Sequence, residues 1–427
     1  MISVAQLLPL ILVMSDGGLT ASSVTDPFDE RALAAALWVA SPDIVAAKGS
    51  VIDADANEQR AALLPNPALN ASWGTIPIGR RNPAGLSFNQ VPNYTLGASQ
   101  LFELGKRGPR KEAARASAEE MRWSLRELFR ERFLDVLRAI GEQSLASARQ
   151  AVLERLVSDS EETLRLQRLR AGKGDVAGLE VDRLEVEHLR LLSSLGEARA
   201  GIEQAAAACA LILGDRCPRV TSLDDSLRYL AAAVPLEGAD ESGIERRPDL
   251  RALESSERRA RAEGVLARRQ AIPDPTVSAA VTHDAFEVSG NQPNSVTLSL
   301  SLPLPLFDRG QPEAVRASAR AALAARQREV LRQSSRRALS AERERLAVLT
   351  ERTRRLDDKA IPMARATVDR VESAARRGGA ALQDVLLARR AMEELQLDRV
   401  DVAGEAFEAR LEIRRAAGSV PEPPGGL

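Results

Sequence analysis

Residues 63–74 read LLPNPALNASWG, and they interrupt a chain otherwise suited to long helices. Pro65 and Pro67 stop a helix, because each lacks an N–H and clashes with the preceding turn. Beyond them Leu69, Ala71 and Trp73 alternate with Asn70, Ser72 and Gly74, the period of two that marks a strand. The same event recurs at 271–284, AIPDPTVSAAVTHD, where Pro273 and Pro275 precede the alternating Val277, Ala279 and Val281.

Between these interruptions proline is scarce. None lies between Pro109 and Pro218, or between Pro312 and Pro362. A helix from Pro109 to Leu169 would be roughly 90 Å long at 1.5 Å per residue. Helices of that length persist in water only by packing along a partner. The apolar residues of SDSEETLRLQRLR and LEVDRLEVEHLRLLSSL recur at three and four, as a coiled-coil seam requires.

The second half copies the first. PNPALNASW (65–73) corresponds to PDPTVSAAV (273–281), AARASA (113–118) to AVRASA (314–319), and LRAGKGDVAGLE (169–180) to ARRGGAALQDVL (375–386). All three pairs keep their order at offsets of 201 to 208 residues, the mark of an internal duplication. Each half reads helix, strand, strand, long helix, glycine turn, long helix. The first repeat spans 22–213, with strands about 67–76 and 94–103 and long helices about 109–169 and 175–213. The second spans 246–417, with strands about 275–284 and 295–304 and long helices about 312–375 and 381–417. Residues 214–245 link the repeats, and 418–427 read as a disordered tail.

In the last strand Val296, Leu298, Leu300 and Leu302 alternate with Thr297, Ser299 and Ser301. One face is aliphatic and the other hydroxylic. Such a strand suits a half-buried hairpin on a helical core, or a membrane barrel with lipid outside and water inside. Four strands do not close a barrel, and open edges are not tolerated in lipid. The membrane reading therefore demands several copies of the chain.

Composition narrows the function. With 59 basic and 60 acidic residues the net charge is −1, so no global field points to nucleic acid. Only His188 and His283 are present, too few for histidine-rich metal binding or Ser-His-Asp chemistry. Glu185 stands three residues before His188, a pairing that reads as a solvated helix surface. The glycine stretches GKGDVAG and RRGGA follow no strand and match no phosphate loop. No catalytic, cofactor or metal residues are assigned, and the chain reads as a non-enzyme. Cys209 and Cys217, eight apart, have no histidine beside them to make a zinc site, and an oxidising compartment would permit a local disulfide. Val4–Met14 is apolar over a signal-peptide length, followed by small residues to about Ala21, so 1–21 reads as a candidate export signal.

In order along the chain stand Asn66, Pro67 and Leu69 at the first strand entry, QLFELGKRGPRKEAARA (100–116), RRPDLRALE (246–254) and SLPLPLFDRGQPEAVRASA (301–319). This ordered set, over about residues 30–417, resembles the TolC-type outer-membrane efflux protein family, and within it the CzcC/CusC-like heavy-metal-efflux branch. The fold implied is mainly α with a small β part: a long antiparallel coiled-coil α-helical barrel, plus four strands per chain in a trimeric 12-stranded transmembrane β-barrel. The function implied is the passive outer-membrane channel of a tripartite efflux system, exporting metal ions or small molecules. The alternative is a soluble coiled-coil scaffold. The place implied is the cell outer membrane, with a long periplasmic extension and 214–245 as an equatorial layer.

The resemblance also assigns roles. Partners are two further copies of the chain, outer-membrane lipid, a periplasmic adaptor (membrane-fusion) protein and an inner-membrane resistance-nodulation-division-type pump. The glycine turns become adaptor-docking tips, with Leu169, Arg170, Ala171 and Gly172 in the first and Arg376, Arg377, Gly378 and Gly379 in the second. Asp384, in QDVLLARR, matches the first acidic position of a periplasmic constriction, while Leu387 replaces the second. Leu69, Ala71, Trp73, Val277, Ala279, Val281, Val296, Leu298, Leu300 and Leu302 are the expected lipid-facing strand residues.

Overall fold

A computed structural model describes residues 25–76, 87–174, 176–286 and 292–424. The candidate export signal lies outside the described residues, as do both strand-connecting loop centres, 77–86 and 287–291.

The first repeat opens with α1 (Glu30–Ala40), capped by Asp29, and α2 (Pro42–Ala61). Strands β1 (Ala68–Gly74) and β2 (Asn93–Leu101) follow, then α3 (Arg107–Ala171) and α4 (Gly178–Leu213). The connecting segment carries two short helices, α5 (Leu223–Ala232) and α6 (Glu241–Ile244). The second repeat runs α7 (Pro248–Arg269), β3 (Thr276–Asp284), β4 (Asn294–Ser301), α8 (Gln311–Arg355), α9 (Ile361–Arg376) and α10 (Leu382–Ala417). Pro42, Pro109, Pro248 and Pro312 all fall in first turns, where a missing N–H costs nothing.

The expected long helix over 312–375 forms, with one turn of altered hydrogen bonding inside it. A π-helical turn, Leu356–Ala360, separates α8 from α9, and the Ile361 N–H reaches back to the Leu356 carbonyl. Pro362 is the cause: it offers no N–H, and its ring would collide with a carbonyl one turn earlier, so the backbone widens there.

The chain divides into two compact units. One comprises residues up to Gly49, Trp123–Arg251 and Glu329 onward; the other comprises Ser50–Arg122 and Ala252–Arg328. In the first, Ala148, Val152 and Leu156 of α3 pack with Leu191, Leu195 and Ala198 of α4 and Val400 of α10. These residues supply the seam that keeps long, charge-rich helices paired. Close approach of α3 and α10 needs Gly141, where a Cβ would overlap the Phe407 ring. At the C-terminal end of α10, Arg130 and Arg247 both donate to the Arg415 carbonyl, at 2.9 and 2.8 Å. Arg130 is 1% exposed and also pairs with Glu127 and Glu131. The Glu127 carboxyl is raised above its ordinary range by burial, an effect that the Arg130 guanidinium opposes.

Cys209 and Cys217 form a disulfide, with Cα atoms 5.7 Å apart. It fastens the end of α4 to the connecting segment across Gly214, which takes φ 75° in the helix C-cap. The tail is not wholly disordered. The Arg414 guanidinium, itself paired with Glu30, donates to the Ser419 carbonyl at 2.9 Å, and residues 418–421 are half-buried. Satisfying the end of α10 is what gives this stretch its course.

The second unit holds one four-stranded antiparallel sheet of order β1-β2-β3-β4. Its middle pair joins the repeats: Leu96 of β2 opposes Val281 of β3. β1 and β4 are its edges.

Candidate functional site

The register lines up whole rows of side chains. On one face Ala71, Leu96, Val281 and Val296 form a row, and Leu69, Ala98, Ala279 and Leu298 form the next. Val277 opposes Leu300, and at the loop end Trp73 opposes Tyr94, with the two rings stacked at 6.4 Å. This face is bare: Leu298 is 78% exposed, and Leu69, Trp73, Leu96, Val281, Val296 and Leu300 are all exposed. The helical-core alternative needs one sheet face buried, and the aliphatic face is open instead.

The opposite face carries hydroxyls. Thr95 and Thr282 share a hydrogen bond at 3.0 Å, Ser278 and Ser299 one at 2.8 Å, and Asn70 Nδ2 donates to Ser99 Oγ at 3.1 Å. Thr297, Ser295, Ser72 and Ser301 continue it. One sheet thus presents lipid-compatible surface on one side and water-compatible surface on the other.

The exposed apolar face holds more residues than those expected from β1, β3 and β4. Tyr94, Leu96 and Ala98 of β2 complete the apolar rows. Their alternation with Thr95, Gly97 and Ser99 was the available signal, blurred by the glycine and by Gln100. Leu302 lies one residue past the end of β4 rather than within it, because Pro303 follows and cannot pair.

Both glycine turns belong to the first unit. Helix α3 ends at Ala171, and the Gly172, Lys173 and Gly174 N–H groups fold back onto the Arg168, Arg170 and Ala171 carbonyls. Leu169, Arg170 and Gly172 are exposed and Ala171 is half-buried. At the second turn the Gly379 and Gly378 N–H groups bond to the Ala374 and Ala375 carbonyls, with Gly378 at φ 76°. That is a helix stop in which a left-handed residue suits glycine. Arg376, Arg377, Gly378 and Gly379 are all exposed. Neither turn buries its arginines, so both present charge and backbone outward.

Asp384 has a local task. Its Oδ2 accepts the Ala381 N–H at 3.1 Å, closing the first turn of α10. Leu387, where the second acidic position would fall, is exposed.

The two helical hairpins touch through Arg389 of α10, which bonds to Thr163 of α3 at 2.7 Å and to Glu372 of α9 at 2.7 Å. Beside it a cleft of about 510 Å³ is lined by both hairpins, with Glu187 of α4 and Glu393 of α10 among its walls. Burial, then repulsion by Glu187, pushes the Glu393 carboxyl up to about 7, against the pull of Arg389, Arg190 and Arg390. No sequence signal singles out this pair, because Glu on a charged helix is commonplace and the two lie far apart in the chain.

The sign of the pH effect follows from linkage. The folded chain holds a proton on Glu393 that the unfolded chain releases from about pH 4.5 upward, so this contribution to stability falls as pH rises toward 7. The pairing of α4 with α10 near Leu191 is expected to loosen between pH 5 and 8, read as faster amide exchange after correction for the intrinsic rate. Glu393→Gln is expected to flatten that dependence; an unchanged slope would assign it to another group.

The histidines take structural places. His188 Nδ1 lies 3.3 Å from Ser160 Oγ, and His283 Nδ1 lies 2.9 Å from Asn294 Oδ1. Among the described residues no group of three or more His, Cys, Asp or Glu is arranged to hold a metal ion. No single described helix is long and apolar enough to cross a membrane.

Residues 241–419 match the family described as "Outer membrane efflux protein". Over 362 residues the chain is 25% identical to the cobalt-zinc-cadmium resistance protein CzcC of Cupriavidus metallidurans, covering 84% of this chain and 82% of that protein. In fold it is similar to CusC (TM-score 0.76, 17% identity, 92% of each chain). It is also similar to the outer membrane protein VceC of Vibrio cholerae (TM-score 0.74, 18% identity, 91% of this chain and 96% of that one). A third is the open state of the MtrE outer membrane channel of Neisseria gonorrhoeae (TM-score 0.72, 17% identity, 94% and 93%).

Proposed function

We propose that the chain belongs to the outer membrane efflux protein family, whose description matches residues 241–419, and that it is the passive duct of a tripartite efflux system. The sheet is the observation that carries this reading. Its apolar face is bare, its other face is hydroxylic, and its edge strands β1 and β4 have no further partner among the described residues. Edges left open in lipid would strand backbone groups at several kcal/mol each. Three chains, pairing β4 of one with β1 of the next, would close a twelve-stranded barrel with the hydroxyls inside. The paired helices then form the periplasmic tunnel, and the chain supplies a path rather than chemistry.

The cargo proposed is divalent metal cations, on the likeness to a cobalt-zinc-cadmium resistance protein. An inner-membrane pump supplies the energy, and an adaptor bridges pump and duct at the glycine turns. Asp384 would narrow the periplasmic mouth with the carboxylate oxygen not committed to Ala381. Deleting the gene is expected to sensitise cells to cobalt, zinc or cadmium. The protein should fractionate with the outer membrane as a trimer. Recovery as a monomer without detergent would overturn the duct reading. Reversing Arg170 and Arg376 to Glu is expected to abolish adaptor-dependent export while trimers persist; export retained in that double variant would remove the turns from the docking surface.

A further inference from the structure

The cleft beside Arg389 has a use that the duct reading does not absorb. It holds about 510 Å³, within the range of roughly 300–1,000 Å³ typical of small-molecule sites. All of its walls belong to the helical unit of one chain, so its chemistry is independent of barrel closure.

Four helices give it apolar walls. Leu156 of α3 and Leu184 and Leu191 of α4 are buried, while Val368 of α9 and Leu386 and Met392 of α10 are half-buried. Met392 is unbranched and polarizable, so it adapts to the shape that it meets. Among these residues stands Glu393, half-buried and in no hydrogen bond or ion pair among the described residues.

The arginines nearby are committed or exposed. Arg389 is held by Glu372 and Thr163, Arg390 pairs with Glu394 at 3.5 Å, and Arg190 pairs with Glu187 at 3.5 Å. Arg183 of α4 and Arg365 of α9 also border the cleft, and both are exposed. Asp159 of α3 and Glu180 of α4 add negative charge at its edge. The charge left without a partner and partly out of water is thus the Glu393 carboxylate, an unfavourable state. A positive group entering the cleft meets an unshared counter-ion, and an apolar body attached to it is taken out of water by the leucines.

We propose that this cleft binds a lipophilic organic cation, with its charged head at Glu393 and its apolar body against Leu156, Leu184, Leu191 and Met392. Such a ligand touches both helical hairpins beside the Arg389 tie and fastens them together.

The test titrates the full-length protein, in a non-ionic detergent, with tetraphenylphosphonium and in parallel with tetraphenylborate, an anion of the same shape. Ion-selective electrodes read the free concentration of each against detergent alone. Saturable phosphonium binding is expected, tighter than that of the borate by about tenfold or more. Equal or tighter borate binding overturns the proposal, because apolar surface alone would then hold the ligand. With the free Glu393 carboxyl pushed up to about 7, its ionised fraction grows about tenfold between pH 6 and pH 8, and phosphonium affinity should rise by the same factor. Glu393→Gln should weaken binding at pH 8 and remove that rise, with an unchanged far-ultraviolet circular dichroism spectrum. A rise that survives in this variant would belong to His188, which lies 3.3 Å from Ser160 on the cleft wall, and would remove Glu393 from the site. Met392→Trp should block the cleft by bulk; phosphonium binding retained in that variant would place the ligand elsewhere and overturn the proposal.

Discussion

Leu298→Arg is expected, on the duct reading, to weaken the membrane-inserted state by about 2–4 kcal/mol, the cost of a cation on a lipid face near the bilayer midplane. Leu298 occupies the central row with Leu69, Ala98 and Ala279, so no polar neighbour on that face compensates. Leu300→Arg, one row nearer the end of the sheet, should cost less, because penalties fall toward the interfaces. The comparison that decides is Thr297→Arg, the next residue on the opposite face. If that face lines water, its substitution leaves insertion nearly unchanged. Urea titration of the protein folded into vesicles reads all three. Equal costs on both faces would mean that the sheet packs against protein on both sides.

Arg130→Ala is expected to destabilise the helical unit by about 3–5 kcal/mol, the range for removing one partner from a buried ion pair. Arg130 holds Glu127 at 2.6 Å, Glu131, and the Arg415 carbonyl at the end of α10. Without it Glu127 keeps its burial and loses its counter-charge, so it takes up a proton at higher pH than in the parent. The destabilisation should therefore shrink on acidification, since protonation discharges the stranded carboxylate. Arg130→Met combined with Glu127→Leu should recover much of the loss, because apolar pairs of similar volume often replace buried ion pairs at little cost. Chemical denaturation followed by far-ultraviolet circular dichroism at pH 5 and pH 8 measures each. A loss independent of pH would assign the effect to packing of the arginine stem.

The prolines explain why so much of this architecture was legible in the sequence. Pro65, Pro67, Pro273 and Pro275 act locally, by sterics and a missing donor, so their effect needs no tertiary context. Alternation in β3 and β4 was equally local. The π turn at 356–360 was less visible, because Pro362 signals a disturbance without choosing between a kink, a break and a widened turn. Asp384 shows the opposite limit: its identity suggested a constriction, while its hydrogen bond to Ala381 is set by the start of α10. The placing of Glu187 and Glu393 in one cleft and the burial of Arg130 arise from helices meeting across long separations. Nothing in their neighbouring residues sets them apart from the many solvated carboxylates and guanidinium groups of the same chain.

The pairing of β2 with β3 also fixes a timetable. Leu96 and Val281 are opposed in the ladder although α3, α4 and the connecting segment lie between them in sequence. Closing so long a loop is slow unless the intervening chain first folds back on itself. Helical hairpins form from near neighbours and so come early, and they carry the two strand pairs toward each other. Until then each strand pair is a lone two-stranded ribbon, marginal in water. A chain arrested before its second repeat emerges thus has half a sheet and no β3 for β2 to pair with, and on the duct reading is not yet competent to enter a bilayer. Helix first and ladder second is the order that this connectivity imposes, and on the duct reading lipid comes last.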